Sequence, residues 1–310
     1  MLVLNTLAPV FLLIAIGAYM QRSGFVSETF LREANRVTYW LGLPALLFSQ
    51  LVSSFHEATG AKPMLGAMIA AMLLLIVLGY LVALALRVPG GALGTFVQGA
   101  FRGNLAFVGL PIIYTLPDTL LAGGLSARTA ALITVAPMMV AYNIGAVFVL
   151  LLSQHPLNFK TARPFLKQLA TTPPLIATLA GILFAMQGWT LPPAVDKTFS
   201  ALGEMALPLG LLGVGGSIMS GHLGKSWRPA LGSSLLKTLA APALGWLAGR
   251  WLRLGAVELK MIMILLATPT AVVSYTMAVE LKGDEEMASG TIVLSVFSSL
   301  VALAVIVGSF

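Results

Sequence analysis

The sequence contains no cysteine. That excludes disulfides, thiol nucleophiles and thiolate metal sites, and leaves the compartment open. Histidine is scarce: His56, His155 and His222 are the full set, and none belongs to an H-E-x-x-H pattern. No pair of aspartates lies inside an apolar run. These gaps weigh against an intramembrane enzyme, and no cofactor is called for. Charge is the largest deficit. Only 9% of residues are Asp, Glu, Lys or Arg, against about 25% in a soluble domain. Too little polar surface exists to clothe a water-soluble particle of this size.

What is present is apolar, with 58% hydrophobic residues and a mean hydropathy of +0.95. A membrane β-barrel would alternate apolar and polar residues. Here the runs are continuous, as in MLGAMIAAMLLLIVLGYLVALAL at 64–86, so they read as transmembrane helices. The net charge of +7 comes from Lys and Arg scattered among short loops, which sets topology rather than binding nucleic acid.

Ten spans are predicted, at 2–21, 28–54, 64–86, 92–116, 125–152, 169–187, 193–219, 229–251, 257–281 and 287–308. A repeat runs through them. Pro9 and Pro173, Gly17 and Gly181, Gly24 and Gly188, and Pro44 and Pro208 are each 164 residues apart. Further on the offset is 166, pairing Gly79 with Gly245 and Arg87 with Arg253. The organisation expected is therefore a first five-helix repeat at 1–152, a linker loop at 153–168 and a second repeat at 169–310. Span 1 matches span 6, so it belongs to the mature fold rather than to a cleaved signal peptide. An odd number of spans per half inverts the second half, as in many secondary transporters. Loop Lys and Arg divide ten to six in favour of the odd-numbered loops. Those loops are expected to be cytoplasmic, with both termini outside.

Two spans carry interruptions at corresponding places. The fourth contains FRGNLAFVGLP (101–111), with Gly103, Gly109 and Pro111; the ninth contains ATPTAVVS (267–274), with Pro269 between Thr268 and Thr270. Glycine and proline weaken helices. Matched breaks in inverted halves are the best sequence pointer to a transporter site. At 1.5 Å per residue, Arg102 lies about 15 Å inside the span, near the midplane. The breaks are expected to meet and cross, with helix N-termini that favour an anion.

Asn104 suits a carboxylate oxygen, or else caps the broken helix. Arg102 complements an anion, or else satisfies carbonyls at the break or reaches a water-filled path. Thr268, Thr270 and Ser274 offer hydroxyls, though such groups commonly bond their own backbone. Asn143 is a further candidate for the lining. Glu204 and Lys237 are the remaining charges deep in spans, either a proton-linked pair or a static salt bridge. Pro44 and Pro208 are expected to kink framework helices.

GNLAFVGLPII (103–113) and PTAVVSYTMAVELKGDEEMASGTIVLS (269–295) resemble signatures of the auxin efflux carrier family, with Leu281 where that family usually has Tyr. The resemblance covers the whole chain. It implies an all-α, NhaA-like and bile-acid-symporter-like fold of two inverted five-helix repeats with broken crossover helices 4 and 9. It implies an elevator mechanism, with helices 1, 2, 6 and 7 as a scaffold, often dimeric, and helices 3–5 and 8–10 as a transport domain. The substrate would be a small organic anion, malonate- or auxin-like, held at Asn104 with Gly103, Pro111 and Pro269 at the crossing. The short central loop points to a bacterial inner-membrane carrier. Arg102, which the plant pattern lacks, leans towards a smaller or more charged acid. The alternative is a sodium-coupled symporter of the bile acid type.

Overall fold

The computed structural model describes residues 2–54, 62–121, 124–154, 167, 171–220 and 223–309. Most of the expected linker loop, with Lys160 and Arg163, and all three histidines lie outside the described residues. Among the described residues no strand forms, only two isolated antiparallel bridges. The α-helices are α1 (Leu2–Arg22), α2 (Glu28–Val37), α3 (Leu43–Ser54), α4 (Lys62–Ala85), α5 (Leu93–Phe101), α6 (Leu110–Thr115), α7 (Ala127–Gln154), α8 (Pro173–Met186), α9 (Pro193–Glu204), α10 (Ala206–Ser220), α11 (Leu223–Leu235), α12 (Ala241–Trp251), α13 (Ala256–Ala267), α14 (Val273–Glu280) and α15 (Glu285–Ser309). Among the described residues four helical stretches are long and apolar enough to cross a membrane: Lys62–Ala85, Ala127–Gln154, Pro193–Gly216 and Glu285–Ser309.

The helix α4 is apolar all round, as expected of a helix enclosed by protein and lipid. In α4, Met64, Met68, Ala71 and Leu75 are buried while Leu73, Val77, Leu81 and Leu84 face outward. Outward leucine and valine at that density suit a lipid solvent.

Proline shapes several helices. Three π-helical turns, Thr38–Gly42, Leu105–Gly109 and Leu236–Ala240, each end just before Pro44, Pro111 and Pro242. A proline has no N–H for the carbonyl four residues back, and a wider turn upstream absorbs the mismatch without breaking the helix. This corrects one expectation. Gly109 and Pro111 do not open the fourth span; the chain is helical from Leu105 through Thr115, and the opening is confined to residues 102–104. Beside Pro208 the ladder is interrupted only at Met205, between α9 and α10.

Two sequence-paired positions share a backbone conformation. Gly24 and Gly188 have φ of 73° and 67°, and Arg87 and Arg253 have φ of 57° and 59°. Each follows a helix end, where a left-handed residue stops the helix.

The helices pack in two groups. In one, α1 lies along α10, α3 along α8, and α9 against α3. In the other, α11 packs on α15, α12 on α13 and α4, and α5 on α4 and α7. Glycine sets the closest approach in the first group. A Cβ on Gly17 would collide with the Leu212 backbone, and one on Gly215 with the Ile14 carbonyl. Small residues let membrane helices meet backbone to backbone. Gly215→Leu is therefore expected to lower stability by roughly 1–3 kcal/mol through overpacking, read as a fall in the thermal midpoint of the purified protein. An unchanged midpoint would contradict this close approach.

Candidate functional site

Between α5 and the π turn, Arg102 (φ −83°, ψ 102°) and Asn104 (φ −84°, ψ 70°) leave the helical region. Between α13 and α14, Thr268 does the same (φ −57°, ψ 150°). Unwound backbone inside a membrane must find partners, and these two breaks find each other. Gly103 and Thr270 form an antiparallel bridge. Asn104 N–H donates to the Pro269 carbonyl and Ala271 N–H to the Arg102 carbonyl, both at 2.9 Å. The two bonds exchange when the breaks are swapped, so the contact has local two-fold symmetry.

The helix ends at this contact divide by polarity. On the carbonyl side, Thr270 Oγ1 donates to Gly99 O (2.9 Å), Thr268 Oγ1 to Leu265 O (2.7 Å), and Lys237 Nζ to Leu266 O. On the N–H side, Leu105, Ala106 and Phe107 open one half-helix, and Val272 and Val273 the other. Their N–H groups donate to no described residue, the nearest backbone bonds being those of Val108 and Gly109 to Asn104 O and of Ser274 to Ala271 O.

All five of these residues line one cavity of about 50 Å³. Its polar wall also includes Arg102, Gly103, Asn104, Tyr142 and Asn143; the facing wall is Leu46, Leu47, Ala206 and Leu207. Asn104 is buried. It stands at the N-cap of the π turn, yet its side chain makes no capping bond there, so the amide is available to the cavity. Arg102 is 4% exposed, and its guanidinium donates to Asn143 Oδ1 and to Met277 Sδ. Both partners are neutral. Among the described residues the one ion pair is Arg32–Glu28, at the surface.

The other sequence candidates lie elsewhere. Pro111 is exposed on α6, away from the cavity. Pro269 contributes its carbonyl to the bridge, and the Thr268 and Thr270 hydroxyls are spent on helix ends. Ser274 is buried beside Gln98, whose Nε2 donates to the Ser274 carbonyl at 2.8 Å. Glu204 is exposed at the end of α9, whereas Lys237 is fully buried. They form no ion pair, so neither version of the expected Glu204–Lys237 pairing stands. Two residues escaped the sequence reading. Gln98 ties α5 to α14 and lies one turn before Arg102, a polar spacing within the same span. Tyr142 neighbours Asn143 in α7 and packs at a tilt against Phe101, with ring centroids 5.9 Å apart.

Apolar helices, two of them broken at a shared polar cavity, are the arrangement in which membrane transporters commonly hold a substrate. A family model described as membrane transport protein matches residues 2–307. The chain belongs to this family, that of the auxin efflux carriers. It is similar to an uncharacterized transporter of Methanothermobacter thermautotrophicus, with 23% identity over 303 residues, covering 96% of this chain and 95% of the relative.

The bond from Thr270 to Gly99 makes a stability prediction. Thr270→Val keeps the shape and leaves a buried carbonyl unpaired, so it should cost about 1–3 kcal/mol. Thermal unfolding measures this; a wild-type midpoint would mean that the hydroxyl contributes nothing to the helix end.

Proposed function

We propose that this protein is a secondary carrier for a small organic anion, a short-chain carboxylate, bound where the fourth and ninth spans cross. One observation carries the reading. Five residues at two helix N-termini, whose N–H groups donate to no described residue, line a single cavity together with Asn104 and the Arg102 guanidinium, which has no carboxylate partner among the described residues. N–H groups and positive dipole ends favour a carboxylate oxygen. A guanidinium without a carboxylate partner adds a full positive charge in a medium that screens it poorly. The cavity has room for only a few water-sized groups, so it fits a small acid better than an aromatic auxin.

In this reading the chain has ten spans in two inverted repeats, with both termini outside a bacterial inner membrane. The group built from α1–α3 and α8–α10 is the scaffold, through which a homodimer forms. The group built from α4–α7 and α11–α15 is the moving transport domain of an elevator. The cavity lies between them: Leu46, Leu47, Ala206 and Leu207 come from the first, and Arg102, Asn104 and Asn143 from the second.

The test is uptake into proteoliposomes of labelled mono- and dicarboxylates. Asn104→Ala should abolish uptake while the purified protein keeps its thermal midpoint; wild-type uptake in that variant would sink the site. Arg102→Gln removes a charge-assisted contact and should weaken apparent anion affinity by about ten- to a hundredfold. An unchanged affinity would assign the guanidinium to Asn143 and Met277 alone.

A further inference from the structure

The carbonyls that end α5 and α13 stand in matching places. Gly99 is four residues before Gly103, and Leu266 is four before Thr270. They are satisfied by different means. Gly99 O receives the Thr270 hydroxyl at 2.9 Å. The counterpart of Thr270 across the bridge is Gly103, which has no side chain to return the bond. Leu266 O receives instead the Nζ of Lys237, reaching in from the π turn Leu236–Ala240. The missing side chain is what admits it. A Cβ on Gly103 would lie 2.9 Å from Lys237 Cε, 3.1 Å from Nζ and 2.6 Å from Thr268 Oγ1.

Lys237 is fully buried and pairs with no carboxylate among the described residues. A buried ammonium inside a membrane is costly unless something negative faces it. What faces it is the C-terminal end of α13, where carbonyls without an intrahelical partner and the helix dipole present partial negative charge. A carbonyl oxygen and a hydroxyl oxygen at a helix terminus are also the hard donors that small inorganic cations take.

We infer that Lys237 is the resident cation of the crossing: its ammonium neutralises the α13 terminus from within, in the seat at Leu266 O, so that no free cation is taken up there. Removing the side chain leaves that seat vacant and open to a small cation from solution. The inference concerns the folded protein with or without substrate, and so stands apart from the identity of the anion.

The experiment is thermal unfolding of purified protein in choline, sodium or propylammonium chloride at equal ionic strength. Propylammonium replaces the atoms that Lys237→Ala deletes. Wild type should melt at the same temperature in all three salts. Lys237→Ala should melt lower in choline and regain stability, saturably, with propylammonium. Lys237→Met fills the volume without charge and should melt low in every salt. Stabilisation of wild type by sodium over choline would overturn the inference. So would Lys237→Ala melting alike in all three salts, or Lys237→Met melting as high as wild type. Should Lys237→Ala give no folded protein, Lys237→Met decides alone: folding at the wild-type level refutes the need for charge, and its loss supports it.

Discussion

Two backbone hydrogen bonds, across the bridge between Gly103 and Thr270, are the contact on which this molecule depends. Opening a helix in hydrocarbon exposes N–H and C=O groups that cost several kcal/mol each when unpaired. One break alone would have no remedy. Two breaks laid antiparallel pair Asn104 with Pro269 and Ala271 with Arg102, and each pays for the other. The crossing then sets the remaining geometry, because it fixes which ends of the four half-helices come together.

Polar groups around the crossing are spent unevenly, and the unevenness has a direction. Carbonyl ends are closed by Thr268, Thr270 and Lys237, and Gln98 fastens α5 to the start of α14. The N–H groups of Leu105, Ala106, Phe107, Val272 and Val273 have no partner among the described residues, and they stand beside an amide and a guanidinium. A pseudo-symmetric backbone thus carries an asymmetric set of side chains. The side chains that close the crossing donate to its carbonyl ends, and the backbone groups without a described partner beside it are N–H donors.

Much of this was legible in residue order. Continuous apolar runs and scarce charge announced membrane helices, and Gly103 and Pro269 marked the two places where the chain opens. Asn104 was picked out as an amide beside the break that can both donate and accept, and it lines the cavity. Gly109 and Pro111 misled, because a proline can be absorbed by a π turn as well as by a break, and local composition does not distinguish the two. The partners of Lys237 and Gln98 were hidden for another reason. Leu266 and Ser274 stand far away in sequence, and a carbonyl acceptor has no signature in residue type. Glu204 and Lys237 looked alike as isolated charges, yet one is exposed and the other fully enclosed; only packing separates them.

The cavity's two walls differ in chemistry as well as in origin. Every directional contact available to a ligand comes from the group that holds the crossing, while Leu46, Leu47, Ala206 and Leu207 offer only dispersion, which has no preferred register. In the proposed carrier, displacing one group along the other would therefore break no hydrogen bond to an anion held at Asn104. For such a carrier the leucine and alanine face is a smooth surface, past which a cargo bound by the other group alone can travel with it.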